Sequence, residues 1–449
     1  MSVEGTGMPR YLLATLVLAL VSAGCTGVPP VVVPPPDPVP VEPGAYPAMP
    51  SVSAKSTHAF RDTVGMNVHL FMDDTASGDF NQTKARLLEL GVSHVRDGLC
   101  APCGWTHDRY VSLGQAGIKS QIIIGWLNKG MPDADANLQV IRDKLLPYTA
   151  GIEAPNEPDI NAGYSVTAMR DYQTALYSRV KGNPQTAHIP VIGPTLVHRA
   201  NRAALGDLSA HMDQGNMHPY PGGAPPYSTI VDEKLSSGYI SGNKPFSATE
   251  IGYHTDLTTT SGHNPASERA VALYTPRTYL EGFRLGIKRT FSYQLVDPLS
   301  EADAASRGWS KLENSFGLMR ANWTPKPAFL SLRNLMRTMD VVGAQPVASP
   351  GAFKFGLEGA GADVQQLLLR SDDGSLALAL WRNVSVWDRN AKVELYPAAD
   401  DFEVVLGEPV SLAQRFNPVD SDAEVRRWAN PRRIPVDVAG GPVVIRLTK

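Results

Sequence analysis

The sequence has few cysteines, no excess of charge of one sign and no apolar run long enough to span a membrane. Its 449 residues include 3 Cys, and 41 Lys and Arg are balanced by 44 Asp and Glu, for a net charge of -3. A chain this close to neutral lacks the positive field that attracts phosphate backbones, so we do not expect nucleic acid as a partner. The motifs HExxH and GxSxG are also absent, which disfavours a metal-dependent hydrolase and a serine hydrolase. We therefore predict no metal site and no cofactor.

The N-terminus indicates export. Arg10 precedes an apolar run at 11–21, which is too short for a permanent membrane span and is typical of a signal peptide. The run leads into SAGC and resembles a bacterial lipoprotein lipobox, with Ser22 in place of the usual apolar residue. The resemblance implies that Cys25 is lipidated, which would anchor the protein to a membrane through lipid alone. The alternative is an ordinary signal peptide cleaved nearby and a secreted protein.

A proline-rich segment follows the signal. Ten of the 22 residues from Pro29 to Pro50 are proline, and such a segment favours extended polyproline II structure. Behind a lipid anchor it would act as a semi-rigid stalk that lifts a folded domain off the membrane. We assign residues 1–25 to the signal peptide and lipobox, and 26–56 to this linker.

The remaining cysteines, Cys100 and Cys103, lie in the segment CAPC. In an exported protein this spacing favours a small local disulfide. A redox motif and half of a zinc site are alternatives, but the sequence has no second cysteine pair. We predict a structural disulfide.

Short apolar strands alternate with amphipathic helical stretches over residues 57–340, which indicates repeated βα units and a parallel sheet. Eight units predict a (β/α)₈ TIM barrel, with a doubly wound open sheet as the alternative. From residue 341 to 449, short strands and turns replace the helical pattern and predict a small antiparallel β-sandwich. The eight barrel-strand candidates are TVGMNVHL from Thr63, VSHVRDG from Val92, KSQIIIGW from Lys119, GIEAPNEP from Gly151, IPVIGPTL from Ile189, GNMHPYPG from Gly215, PFSATEIGY from Pro245 and RTFSYQLVD from Arg289.

The active site of such a barrel lies at the C-terminal ends of its strands, and four strands end in residues that carry chemistry. These are Arg96-Asp97 on strand two, Asn156-Glu157-Pro158 on strand four, His218-Pro219-Tyr220 on strand six and Thr249-Glu250 on strand seven. Two carboxylates therefore face one cleft. A pair of carboxyl groups is the minimum needed to cleave a glycosidic bond, since one protonates the leaving oxygen and the other stabilises or attacks the anomeric carbon.

Asn-Glu-Pro at the end of strand four and Glu at the end of strand seven resemble clan A of the retaining glycoside hydrolases, over the whole barrel. The resemblance implies that Glu157 is the acid/base and Glu250 the nucleophile, with carboxyl groups about 5 Å apart. It also implies that Asn156 binds the sugar 2-hydroxyl and that Arg96 keeps the nucleophile ionised. Tyr220 would hydrogen-bond Glu250, with His218 nearby.

The sugar-binding surface is less well defined by the sequence. Strand eight ends in Tyr293, where many clan members have the tryptophan that floors the first sugar subsite. Four aromatic residues near strand ends are candidate stacking platforms for a carbohydrate substrate. They are Trp105, Trp126, Tyr253 and Trp309, of which Trp126 is favoured because it directly follows strand three.

These features predict a retaining glycoside hydrolase, closest to the family-39-like and family-5-like branches, that acts on an oligo- or polysaccharide. Two alternatives remain open. A barrel could bind polysaccharide without cutting it, and a transglycosylase would have the same residues, because the exclusion of water at the acceptor site decides between transfer and hydrolysis.

Overall fold

The computed structural model describes residues 46–160, 163–260 and 262–449. The predicted signal peptide, Cys25 and most of the predicted linker lie outside these residues. Within them, the helices lack the length and apolar character needed to cross a membrane. The described chain begins with two short strands, Ser51–Ser53 (β1) and Lys55–Ser56 (β2).

The next eight strands form one parallel sheet in the order β7-β6-β5-β4-β3-β10-β9-β8. A parallel bridge between Ile192 and Gln214 brings the two ends of this sheet together. The sheet is therefore a nearly closed barrel, which confirms the predicted fold and rules out the doubly wound alternative. The barrel strands one to eight are Val64–Asn67 (β3), His94–Gly98 (β4), Lys119–Ile123 (β5), Thr149–Glu153 (β6), Val191–Ile192 (β7), Gly215–Met217 (β8), Phe246–Ile251 (β9) and Thr290–Ser292 (β10).

Helices lie between these strands, and local sequence sets their ends. The Asp79 side chain caps one helix by accepting from the amide of Gln82 at 3.1 Å, and Ser165 caps another through the amide of Ala168 at 3.1 Å. The helices are Thr57–Arg61 (α1), Phe80–Leu90 (α2), Gly104–Gln115 (α3), Gly130–Val140 (α4), Val166–Lys181 (α5), Arg199–Leu205 (α6), Pro226–Ser241 (α7), Glu268–Arg284 (α8), Glu301–Ser306 (α9) and Pro327–Thr338 (α10).

The C-terminal part is a sandwich of two mainly antiparallel sheets, as predicted. One sheet has the order β1-β11-β16-β19, the other β18-β17-β20-β13-β12-β2, and β14 and β15 form a separate pair. The strands are Ala352–Glu358 (β11), Val364–Arg370 (β12), Leu376–Arg382 (β13), Trp387–Asp388 (β14), Val393–Glu394 (β15), Asp400–Leu406 (β16), Leu412–Phe416 (β17), Glu424–Ala429 (β18), Arg433–Val438 (β19) and Val443–Thr448 (β20).

Strands β1 and β2 belong to the sandwich, which corrects the predicted end of the linker at residue 56. β1 pairs antiparallel with β11, and β2 pairs parallel with β12. The segment 51–56 therefore contributes one strand to each sheet of the sandwich before the barrel begins. Its backbone groups are paired with strands more than 290 residues away, which sequence periodicity over so short a segment does not reveal.

The larger sheet is buried on both faces. Along β13, Leu378 and Leu380 pack in the sandwich core, whereas the alternate residues Ala379 and Trp381 pack in the core shared with the barrel. Trp381 also donates from Nε1 to Oε1 of the buried Glu281 on α8, at 2.7 Å. A hydrogen bond to a charged acceptor contributes about 1.5–3 kcal/mol, so this contact ties the sandwich firmly to the barrel.

Candidate active site

A layer of buried polar side chains crosses the barrel interior below its C-terminal end. Most barrel strands contribute one residue that is polar inside an otherwise apolar segment. Such residues need hydrogen-bond partners once they leave water. They are Asn67 on β3, Arg96 on β4, Gln121 on β5, Glu153 on β6, Asn216 on β8 and Thr249 on β9, each at most 2% exposed.

Arg96 is the centre of this layer, and all five of its N–H groups are used. Nε and Nη2 hold both oxygens of Glu153 at 2.8 and 2.6 Å, while Nη1 donates to Oε1 of Glu250 at 2.7 Å. The remaining donors reach Oδ1 of Asn67 at 3.0 Å and Oδ1 of Asn156 at 2.7 Å. The structure thus brings Arg96, Asn156 and Glu250 together as the sequence predicts.

Glu153 is a functional residue that the sequence analysis missed. Burial alone would raise the pKa of its carboxyl, but the charge and hydrogen bonds of Arg96 outweigh burial and lower it. Gln121 Nε2 at 2.9 Å and Asn216 Nδ2 at 3.0 Å also donate to it. Its signal was present in the sequence, because a glutamate between Ile152 and Ala154 in a buried strand requires a cationic partner.

Glu250 ends β9, and its two oxygens have different donors. Arg96 occupies Oε1, and the Tyr220 hydroxyl donates to Oε2 at 2.5 Å. Burial raises the pKa of Glu250, but the charges of His218 and Arg96, together with the Tyr220 hydrogen bond, bring it well below the usual range. Burial and the neighbouring carboxylates raise the pKa of Tyr220, so its hydroxyl stays protonated and continues to donate. Glu250 is therefore held as an oriented carboxylate.

Glu157 follows β6 on a turn with an unusual backbone conformation, φ +39°. Positive φ is costly for a side chain with a Cβ, and such strain is typical of residues that must be placed in a site. Oε1 of Glu157 lies 2.7 Å from Nδ1 of His218. One carboxyl oxygen from Glu157, one from Glu250 and a His218 ring nitrogen all lie within 4.8 Å of one another.

The hydrogen-bond network assigns the two nitrogens of His218. The Thr249 hydroxyl donates to Oδ1 of Asn216 at 2.8 Å, so it accepts from His218 Nε2–H, also at 2.8 Å. This leaves Nδ1 to face Glu157. Burial lowers the pKa of His218, but the Glu250 charge and the Glu157 hydrogen bond more than reverse this and raise it. His218 therefore holds a proton more readily than a free imidazole does, and its Nδ1 lies 3.8 Å from Oε2 of Glu250 as well as close to Glu157.

Glu157, His218 and Glu250 also have the donor types that bind metal ions. Arg96 and Tyr220 already hydrogen-bond the Glu250 carboxylate, and the Arg96 charge beside it opposes a divalent cation. This arrangement favours proton transfer and nucleophilic chemistry over a metal centre.

These groups lie at the bottom of a cleft of about 760 Å³. Trp126, the favoured stacking candidate, lines this cleft, and its side chain is 56% exposed. The other three candidates do not line it. Trp105 stacks on the Arg109 guanidinium, 4.6 Å away, and Tyr253 is buried with its hydroxyl donating to the carbonyl of Ala224. Strand order alone does not determine which of the aromatic side chains that follow barrel strands reach the cleft.

An aromatic cluster supports Tyr220 from the side of the last barrel strand. Tyr220 stacks on His263 with ring centroids 4.6 Å apart, and its edge meets Phe316 at 5.6 Å and Tyr293 at 6.3 Å. Tyr293, which follows the last barrel strand, lines the cleft. Cys100, which follows the second barrel strand, also lines it and is joined to Cys103 by a disulfide.

No protein-family model matches the sequence, and no curated protein matches it either. Among solved structures, the chain is similar to a family 39 glycoside hydrolase from Bacteroides cellulosilyticus WH2, at 15% identity and a TM-score of 0.60, with 88% of this chain and 83% of that one covered. A monomeric β-xylosidase from Caulobacter crescentus CB15 aligns at 14% identity and a TM-score of 0.59, over 89% and 98% of the two chains.

A family 51 α-L-arabinofuranosidase from Bifidobacterium longum aligns at 11% identity and a TM-score of 0.55, over 90% of this chain and 98% of that one. All three alignments extend over most of both chains, so they include the sandwich as well as the barrel. The fold is therefore that of clan A-like glycoside hydrolases.

Proposed function

We propose that the protein is a retaining glycoside hydrolase in which Glu250 is the nucleophile and Glu157 the acid/base. The observation that carries the proposal is the placement of these two carboxyl groups, with oxygens within 4.8 Å, at the C-terminal end of the barrel. Retaining glycosidases have carboxyl groups about 5–5.5 Å apart, whereas inverting enzymes need about 6.5–9.5 Å to admit a water molecule between them. The short separation supports retention.

The two environments fit two different tasks. Arg96 and Tyr220 hold Glu250 as a carboxylate, the form that attacks an anomeric carbon. Glu157 is hydrogen-bonded to His218, and in the proposed mechanism it gives the proton that the leaving oxygen needs. The proposal thus assigns opposite protonation states to the two carboxyl groups, as an acid and a nucleophile require.

The reaction would proceed in two displacements. Glu250 attacks the anomeric carbon and forms an ester, while Glu157 gives its proton to the glycosidic oxygen and the leaving group departs as an alcohol. Glu157, now a carboxylate, then takes a proton from water, whose oxygen attacks the same carbon and breaks the ester to Glu250. Asn156, which accepts from Arg96 at 2.7 Å, would bind the sugar 2-hydroxyl.

The test is intact-mass spectrometry of the purified protein after incubation with 2,4-dinitrophenyl 2-deoxy-2-fluoro glycosides of different sugars. Xylose is the first sugar to try, because one structurally similar protein is a β-xylosidase. We expect a mass increase of one glycosyl unit in the wild type and none in Glu250→Ala. Glu157→Ala is the matched control, because a dinitrophenolate leaves without an acid and the adduct should still form.

For Glu157→Ala, turnover of natural substrates should fall by about 10²–10⁴-fold, the contribution typical of a general acid. Turnover of activated aryl glycosides should fall less, and azide should restore it by forming a glycosyl azide of retained configuration. Label on a residue other than Glu250, or a product of inverted configuration, would contradict the mechanism. An absence of adduct with every sugar tested would favour a non-catalytic polysaccharide-binding barrel.

The sequence around Cys25 supports a second proposal, that the mature protein is exported and lipid-anchored through this residue. Fractionation of cells that express the full chain tests it. We expect the wild type in the membrane fraction and Cys25→Ala in the soluble exported fraction. A wild-type protein found free outside the cells would instead support cleavage by an ordinary signal peptidase.

A further inference from the structure

Four exposed large apolar side chains line the cleft, and three of them lie on one side of it. Trp126 is 56% exposed, Ile160 57% and Val197 41%, whereas the fourth, Phe71 at 41%, follows barrel strand one. The first three follow barrel strands three, four and five, which are neighbours in the sheet order β7-β6-β5. An apolar surface left open to water in a cleft marks a binding surface.

The other side of the cleft has a different chemistry. His263, Tyr293 and Glu313 line it, and they follow barrel strands seven and eight, next to Glu250. Burial and the charges of Glu250 and Glu157 raise the pKa of Glu313. These side chains offer hydrogen-bonding groups, as the hydroxyls of a bound sugar require. The cleft thus has hydrogen-bonding groups next to the nucleophile, whereas three of its four exposed large apolar side chains lie next to Glu157.

In the proposed reaction, different parts of the substrate lie on the two sides of the cleft. The anomeric carbon must meet Glu250, and the oxygen that leaves must meet Glu157, so the leaving group lies beyond Glu157. Ile160 is only three residues after Glu157, and Trp126 and Val197 flank it on the neighbouring strands. We propose that Trp126, Ile160 and Val197 form the site for the leaving group, and that this site takes an uncharged group with a flat apolar face.

This inference rests on the proposed function and adds the chemical class of the leaving group. An acceptor that attacks the glycosyl-enzyme in the reverse step would occupy the same site and belong to the same class. An aromatic ring and the CH-rich face of a sugar share the required chemistry, because both pack on an indole. Lys129 Nζ lies over the Trp126 ring, 5.9 Å from its centroid, and also lines the cleft.

The backbone fixes Trp126 at the rim. Gly125, which precedes it, has φ +74°, and a Cβ there would lie 1.8 Å from the Tyr172 hydroxyl. That hydroxyl donates to the carbonyl of Ile124 at 3.1 Å. A glycine is therefore required, and the turn that it makes over Tyr172 directs Trp126 into the cleft.

The experiment first traps the glycosyl-enzyme with 2-deoxy-2-fluoro-β-xylosyl fluoride, or the fluoride of whichever sugar labels Glu250, since a fluoride has no aromatic leaving group. The excess reagent is removed, and recovery of activity is measured in water alone and with benzyl alcohol, methyl β-xyloside or methanol. Each acceptor must bind the leaving-group site before it attacks the ester to Glu250. Benzyl alcohol and the xyloside distinguish aromatic from sugar acceptors, and methanol has no flat face.

In the wild type we expect benzyl alcohol or the xyloside to accelerate recovery far more than methanol at equal concentration. In Trp126→Ala the ratio of this accelerated rate to the rate in water should fall about 2- to 12-fold, since stacking on an aromatic ring contributes about 0.5–1.5 kcal/mol. Trp126→Phe should retain part of the ratio. Trp105→Ala is the matched control, because Trp105 is also exposed but does not line the cleft, and it should behave as the wild type does.

An equal ratio in Trp126→Ala and the wild type would overturn the inference. The inference would also be overturned if Trp126→Ala slowed the formation of the adduct from the fluoride more than it lowered this ratio. That result would place Trp126 beside the sugar whose bond is cleaved. Failure of the proposed function gives a different result, namely no adduct in any variant, the wild type included, and both proposals would then fall.

Discussion

Replacing the buried Glu153 by glutamine should destabilise the protein strongly, although the two side chains have nearly the same shape. Oε2 of Glu153 accepts from Arg96 Nε at 2.8 Å and from Gln121 at 2.9 Å. Oε1 accepts from Arg96 Nη2 at 2.6 Å and from Asn216 at 3.0 Å. Whichever position the glutamine NH₂ takes, it meets two donors, so at least two hydrogen bonds are lost together with the charge.

Hydrogen bonds that involve charged groups contribute about 1.5–3 kcal/mol each, so two of them give a loss of about 3–6 kcal/mol. This agrees with the loss of about 3–5 kcal/mol that is usual when one member of a buried ion pair is removed. We therefore expect the free energy of unfolding of Glu153→Gln to be lower by about 3–5 kcal/mol.

Equilibrium unfolding in guanidinium chloride, monitored by tryptophan fluorescence, measures this change. Glu89→Gln is the control, because Glu89 pairs with Arg86 and Arg333 at a half-buried site, where loss of an ion pair costs about 1 kcal/mol or less. The pKa of Glu153 is lowered on folding, so its contribution is present above the ordinary glutamate pKa and is lost as the pH falls through the folded value. The difference between wild type and Glu153→Gln should narrow over that acid range. A loss below about 1 kcal/mol at neutral pH would refute the reasoning, since a buried charge pair would then contribute no more than an exposed one.

Two further predictions concern the site and its rim. In Tyr220→Phe, Glu250 loses a hydrogen bond that helps to lower its pKa against the effect of burial. Because the proposed nucleophile must be a carboxylate, the acid limb of the kcat/KM profile should move to higher pH. An unmoved limb would mean that His218 and Arg96 set the ionisation of Glu250 without Tyr220. Gly125→Ala should lower the thermal midpoint through its positive φ and its clash with the Tyr172 hydroxyl. Adding Tyr172→Phe should recover part of that loss, and purely additive effects would show that the clash is not its source.

The sequence alone locates all eight barrel strands and predicts which strand carries each candidate site residue. Parallel strands buried on both faces appear as apolar runs, and their C-terminal ends meet at one face of a barrel, so motif positions predict proximity. That is why Arg96, Asn156, Glu157, His218, Tyr220 and Glu250 come together as expected. Their catalytic roles stay predictions until the trapping experiment is done.

The polar layer was missed as a unit, although Arg96 was singled out and Glu153 is unusual in a buried strand. These two residues lie two strands apart in the sheet, and no local periodicity connects them. The same limit applies to the strands β1 and β2, whose partners lie in the distant sandwich. Loop direction is a further limit, since Trp105 and Trp126 both follow barrel strands and only Trp126 faces the cleft.

The pairing of Arg96 with Glu153 also bears on how the site would stabilise its transition state. An arginine that is bound directly to a nucleophile orients it but also cancels its negative charge. An oxocarbenium-like transition state is positively charged and needs that negative charge nearby. Glu153 takes both Nε and Nη2 of Arg96 and so neutralises that cation, leaving one contact from Nη1 to Glu250. Of the three buried groups Arg96, Glu153 and Glu250, one is a cation and two are carboxylates, so together they keep one net negative charge, on the side of Glu250. Glu153→Gln removes that excess, so it should slow the glycosylation step even at temperatures where the variant is fully folded, because preorganised charge acts on the charge that develops in the transition state.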